Sequence, residues 1–256
     1  MASLEKESSK NRLLAALPAA EYRRLLPKLE SVSLSLKQRV YESLKTIDYV
    51  YFPLNGVVSI LTFMKDGTAI EIATVGNEGM VGLPVFWGAD RTPLVASQQI
   101  PGESMRMDSK AFTKEIKRNG PLAAILDLYT HAFVVQIAQG NACNRAHSIA
   151  QRCARWLLTI HDRVGRRQRF FITQEFLGQM LGVRRAGVNE VASAFRKSKL
   201  IDYKRGMIHI LDRKGLEKRS CECYWVIKNE TDRLFSKWSK NISLDSTKNE
   251  AVESHP

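Results

Sequence analysis

Residues 174–193 read QEFLGQMLGVRRAGVNEVAS, and one continuous helix does not accommodate them. A glycine inside a helix costs about 1 kcal/mol relative to alanine. A helix through Gly182 would also set Val183 and Val188 off the stripe of Leu177 and Leu181. Two helices account for every position. Thr173 caps the first, with Gln174 and Glu175 in the turn where the helix dipole favours acceptors and negative charge. Leu177 and Leu181 face a core, and Gly178 is small where a second helix must cross. Gly182 supplies the left-handed residue of a tight turn. Val183 plugs that turn, and Val188 and Val191 form the inward side of the second helix. Arg184, Arg185, Gly187, Asn189 and Glu190 are left outward or at its N-terminal end. Short residues there let a partner approach the backbone, and polar ones can read hydrogen-bonding edges. The pattern is that of a DNA-binding helix-turn-helix with its recognition helix second. An αα-hairpin used only for packing is the alternative.

The residues that follow, FRKSKLIDYKRGMIHILD, enter two short strands, 200–204 and 207–211, joined through Arg205-Gly206. A basic hairpin after a recognition helix is a wing, which places Lys204 and Arg205 near phosphates. Charge supports this. The chain carries a net +13, of which residues 1–140 hold only +2 (16 bases, 14 acids) and residues 141–256 hold +11 (23 bases, 12 acids). Such asymmetry is the footprint of nucleic acid or of an anionic membrane surface. No amphipathic helix with aromatic anchors accompanies it, which disfavours a membrane surface.

Upstream, 20–29 reads as a short helix. From 31 to 108, short β-rich runs are separated by NG, DG and GNEG at intervals of about ten residues, an antiparallel sandwich or barrel. Asp66-Gly67 marks a hairpin. Ser109 is positioned to cap the next helix. Pro121 then opens a helix of about 27 residues, to 147, on which Leu122, Ile125, Leu126, Tyr129, Phe133, Gln136, Ile137 and Gly140 recur at i, i+3/i+4. Long striped helices of this kind form dimer seams; a helix buried in its own domain is the alternative. SIAQRCARWLLTIHDRVG continues as another amphipathic helix. The polar end of the chain, 236–256, is expected to be disordered. No run approaches the roughly 20 apolar residues of a membrane helix, and the first residues lack a signal-peptide apolar core. A cytoplasmic protein is expected.

The four cysteines are Cys143, Cys153, Cys221 and Cys223. The CEC at 221–223 has its nearest other cysteine about 70 residues upstream, and no second C-x-C or C-x-x-C completes a zinc site. Free thiols, no metal and no cofactor are therefore expected. A β-roll can also be a cupin enzyme, but residues 1–130 contain no histidine to hold its metal. No catalytic residue is assigned, and the chain is not expected to be an enzyme.

Together these segments resemble the Crp/Fnr family of bacterial transcription regulators over roughly residues 20–225. YFPLNGVVSI with DGTAIEIATVGNEGMVG looks like the family's cyclic-nucleotide-binding β-roll, the helix 121–147 like its dimerisation helix, and ITQEFLGQMLGVRRAGVNEVASAFRKSKLI like its helix-turn-helix. The resemblance implies an α+β fold: an N-terminal antiparallel β jelly roll over 20–120, the long helix, and a winged helix-turn-helix over 148–225. It further implies a homodimer that binds double-stranded DNA at a two-fold symmetric operator and acts on RNA polymerase. Cyclic-nucleotide binders of this family carry Gly-Glu, then Arg-Ser/Thr-Ala about ten residues on. Here Gly82 is followed by Leu83, and Arg91-Thr92 by Pro93, so a pocket at Gly82, Leu83, Arg91 and Thr92 lacks its ribose partner. Cyclic AMP is not expected as ligand; a cyclic-nucleotide-dependent regulator of the same fold is the alternative. An iron–sulfur sensor of the family needs cysteines near the N-terminus. A haem sensor needs an axial ligand, and His131 reads instead as a packed or interface residue. Arg185 matches the family's first base-reading arginine. Ala186 stands where the cyclic AMP receptor branch has glutamate, and Glu190 where it has a second arginine, so the operator is expected to differ.

Overall fold

The computed structural model describes residues 10–165 and 169–252, without the side chains of Glu175, Arg185 and 240–252. Helix α1 (Arg12–Ala15) is capped by Asn11, whose side-chain oxygen accepts from the Leu13 and Leu14 amides. Helix α2 (Ala19–Leu25) ends in a single 3-10 turn, Leu26–Lys28. Two antiparallel sheets follow. One has the order β1 (Glu30–Leu34), β7 (Gly102–Asp108), β3 (Tyr49–Pro53); the other runs β2 (Arg39–Tyr41), β6 (Val95–Ile100), β4 (Val57–Phe63), β5 (Ala69–Val75). The chain crosses from one sheet to the other after β1, β2, β3 and β6, while β4, β5 and β6 stay together, the double-sheet arrangement of a jelly roll. Asp66-Gly67 turns the β4–β5 hairpin, with the Asp66 carboxylate accepting from the Thr68 amide at 2.9 Å. A one-turn helix, α3 (Leu83–Phe86), and α4 (Ser109–Ile116) complete the roll. The cap of α4 is Asp108, which accepts from the Ala111 amide; the Ser109 hydroxyl instead donates to the Ile47 carbonyl.

Helix α5 spans Pro121–Ala146. Most of its apolar stripe, read from the sequence as a dimer seam, is covered within the chain itself. Leu122, Ile125, Leu126, Tyr129 and Phe133 are buried in the chain's own core against the sheets, and Ile137 packs against it. Gln136 is held inside the chain too, its side-chain oxygen accepting from the Thr74 amide at 3.3 Å and from Arg163 at 3.2 Å. Gly140 lies on the same half-buried side. Periodicity showed that one side of α5 is apolar, but not which surface covers it. The helix is also long and apolar enough to cross a membrane by length and composition, contrary to the sequence reading; its apolar stripe packs on the sheets in the chain's own core.

Helix α6 (Ile149–Arg163) starts at a reciprocal cap between Ser148 and Gln151. Then come β8 (Arg169–Phe171), α7 (Gln174–Leu181), α8 (Arg185–Lys197), β9 (Ile201–Lys204), β10 (Met207–Ile210), α9 (Arg213–Arg219) and α10 (Cys223–Val252). Residues 236–252, expected to be disordered, are therefore helical. Trp238 is buried, and its indole donates to the Ala16 carbonyl at 2.7 Å. One large aromatic in a polar run was the signal missed. Residues 253–256 lie outside the described residues.

A second core, built on Trp156, Leu157, Leu181, Val188 and Phe195, runs on into Val57, Leu61 and Val95 of the four-stranded sheet. Glu71 of β5 sits at this junction, accepting from Ser59 Oγ at 2.6 Å and from Trp156 Nε1 at 3.2 Å. Burial raises its carboxyl to about 7, above the ordinary value of 4.5. The folded chain therefore keeps a proton there that the unfolded chain has already lost, and stability falls as pH rises from about 4.5 to 7. Glu71→Gln is expected to flatten that fall by on the order of 2 kcal/mol in urea titrations at pH 5 and pH 8. Identical pH dependence in both proteins would remove Glu71 as its source.

Candidate nucleic-acid interface

Thr173 takes up extended backbone and its hydroxyl accepts from the Phe176 amide at 3.1 Å, starting α7. Gly182 stops it, at φ 61° and ψ 36°. The Gly182 and Val183 amides return to the carbonyls of Gln179 and Gly178, so the carbonyls orphaned at the end of α7 are satisfied by a left-handed cap. Arg152 adds a donor to the Leu181 carbonyl at 2.9 Å. Arg184 is extended and α8 begins at Arg185. Leu177, Leu181, Val188 and Val191 are buried, and Gly178 is buried at the crossing. The turn and the inward faces are those expected from the sequence.

The outward face of α8 is open. Arg184, Ala186, Asn189 and Glu190 are exposed and Gly187 is half-buried. Thr173 and Gln174 are half-buried at the start of α7, where helix amide groups point outward and favour an anion. Arg185 is the first residue of α8, but its side chain lies outside the described residues.

The wing has three strands, in the order β8-β10-β9. Sequence reading found β9 and β10 and missed β8, whose three residues are too short to carry an alternation. Arg205 and Gly206 turn the hairpin with φ of 50° and 80°. A Cβ at Gly206 would also lie 2.6 Å from the Phe171 ring, so glycine is required there twice over. Ile201 and Tyr203 point inward; Asp202, Lys204 and Arg205 are exposed. Arg184, Arg196, Lys197 and Lys199 are exposed as well, so the helix-turn-helix and wing carry a strongly basic surface, relieved by the Arg196–Asp202 pair at 3.6 Å.

The suggested effector residues differ in their placement. Leu83 and Thr92 are buried, and Gly82 abuts Val50 with φ 108°. The Arg91 side chain is exposed and pairs with its neighbour Asp90 at 3.2 Å. An arginine held at the surface is not placed to take a phosphate inside the roll. His131 is at the surface of α5, paired with Glu230 of α10 at 3.1 Å.

Residues 151–219, which span α6 to α9, match the family model of the Crp-like helix-turn-helix domain. No match was found among curated proteins. Solved structures of the same fold include FixK2 from Bradyrhizobium japonicum, with TM-score 0.65 and 16% identity over 75% of this chain and 98% of that one. A transcriptional regulator of the Crp/Fnr family from Eubacterium rectale gives TM-score 0.60 and 16% identity over 82% and 98%. TTHB099, a CRP-family regulator from Thermus thermophilus, gives 0.61 and 18% over 74% and 96%.

Proposed function

We propose that this chain, which has the Crp/Fnr fold and a Crp-like helix-turn-helix domain, is a sequence-specific DNA-binding transcription regulator. In this reading it works in the cytoplasm as a homodimer on a two-fold symmetric operator and acts on RNA polymerase, without catalysis. The observation that carries the reading is the open face of α8, flanked by the basic wing and backed by a fully buried inner side. A major groove admits a helix presented in this way, and the wing supplies phosphate contacts that fix its register. Glu190 is offered as an acceptor for a cytosine amino group.

The dimer seam is reassigned to the side of α5 opposite its buried stripe. Ala124, Val134, Ala138 and Ala142 are exposed there, and small side chains let a second helix come close. Independence from cyclic AMP is supported by Leu83, which offers no carboxylate to a ribose, and by the outward Arg91.

The wing tests the reading. Each phosphate neutralised contributes about 0.9 to the slope of log affinity against log salt. Lys204→Ala with Arg205→Ala is expected to weaken binding at low salt. It should also make that slope shallower by about 1 for each phosphate left without its cation, with the selected consensus unchanged. An unaltered slope would place the wing away from DNA.

A further inference from the structure

The end of α5 and the start of α10 meet at four side chains that sequence spacing kept apart. Cys143 lies in the last turn of α5 and His147 is its C-terminal cap; Cys221 precedes α10 and Cys223 is its first residue. Their sulfur and imidazole nitrogen atoms all lie within 4.8 Å of one another. Cys143 and Cys221 are 3.4 Å apart, sulfur to sulfur, and Cys223 Sγ is 3.6 Å from His147 Nδ1. The three cysteines are buried and make a group of their own, apart from both cores. The remaining cysteine, Cys153, belongs to the second core and shares none of this.

From this geometry we propose that Cys143, His147, Cys221 and Cys223 form a closed binding site for one divalent zinc-type cation. Three sulfurs and one imidazole are the donor set of structural zinc sites, with bonds of about 2.3 Å to sulfur and about 2.0 Å to nitrogen. A tetrahedral ion with such bonds sets its ligand atoms about 3.5–3.8 Å apart; the two pairs above, at 3.4 and 3.6 Å, are near that range, and the others lie within 4.8 Å. A disulfide would need its sulfurs at about 2.05 Å, and all four cysteines are free. The outer groups suit the ion as well. Glu222 meets His147 Nε2 at 3.2 Å, the kind of carboxylate partner that orients a ligating imidazole through its other nitrogen. Gln139 donates to Cys223 Sγ at 3.1 Å.

Binding is a proton exchange. Three S–H bonds break, three S–Zn bonds and one N–Zn bond form, and the thiol protons pass to solvent. No electron moves. The ion would cross-link the long helix to the C-terminal helix beside the DNA-binding unit, and it stands whether or not that unit reads DNA.

The test uses the full chain, stripped by a chelator under reducing conditions and titrated with cobalt(II), then zinc(II), without DNA. One cobalt per chain is expected, with the intense visible absorption of a tetrahedral thiolate complex, bleached by one equivalent of zinc. Cys221→Ser with Cys223→Ser should abolish that absorption, Cys153→Ser should retain it, and Glu222→Gln should weaken zinc affinity by about 10- to 100-fold. The titration of the unaltered chain decides the matter even if a variant fails to fold. Absence of stoichiometric cobalt, a pale octahedral spectrum, purification with iron and acid-labile sulfide, or a Cys143–Cys221 disulfide whose reduction restores no binding would each overturn the assignment.

Discussion

Replacing Arg163 with methionine is expected to lower the unfolding free energy by about 3–5 kcal/mol, the typical loss when one partner of a buried pair is removed. The Arg163 guanidinium reaches Glu78 at 2.8 Å, with the two side chains only 8% and 10% exposed. It also donates to Gln136 at 3.2 Å and to Thr74. One residue of α6 thus ties together β5, the loop after it and α5. Methionine fills most of the volume but leaves the Glu78 carboxylate without its counter-charge. Arg163→Met with Glu78→Gln should therefore recover much of the loss, because the second change removes the stranded charge. Urea denaturation of the two single variants and the double variant measures this directly. A loss below about 1 kcal/mol for Arg163→Met, or strict additivity in the double variant, would show that the pair is not coupled.

Arg185→Ala is expected to have the largest effect on DNA. A bidentate arginine–guanine contact contributes about 1–3 kcal/mol. In a symmetric dimer it is made twice, so affinity should fall by roughly 30-fold to 20,000-fold. Discrimination should relax at that base pair alone, and the salt slope should change less than in the wing variant. Glu190→Arg should instead shift the preferred base. Unchanged affinity and consensus for Arg185→Ala would remove it as a base reader, whatever becomes of the wing.

Local features carried most of what the sequence disclosed. Gly182, the spacing of Leu177, Leu181, Val188 and Val191, Asp66-Gly67 and Arg205-Gly206 each impose their structure within a few residues, and each is found where expected. What failed depends on distant parts of the chain. The stripe on α5 is apolar because the sheets cover it, yet a partner helix would demand the same pattern. Trp238 binds a carbonyl over two hundred residues away, so its segment read as polar and unstructured. Arg91 echoes a ligand-binding motif, but the chain turns it outward onto Asp90. The Cys143, His147, Cys221 and Cys223 cluster is the sharpest case. Its spacing in the sequence is that of no short motif, and only the return of α10 along α5 brings the four side chains together.

The central claim is that two copies of α8 read one symmetric site. In vitro selection of random duplexes by the purified full chain, followed by footprinting on the winner, tests it most directly. The expected result is an inverted repeat whose half-sites are centred about 34 Å apart, one helical turn, with two protected regions and two chains bound per duplex. Enrichment of no sequence, or of an unsymmetric site protected by a single chain, would contradict it.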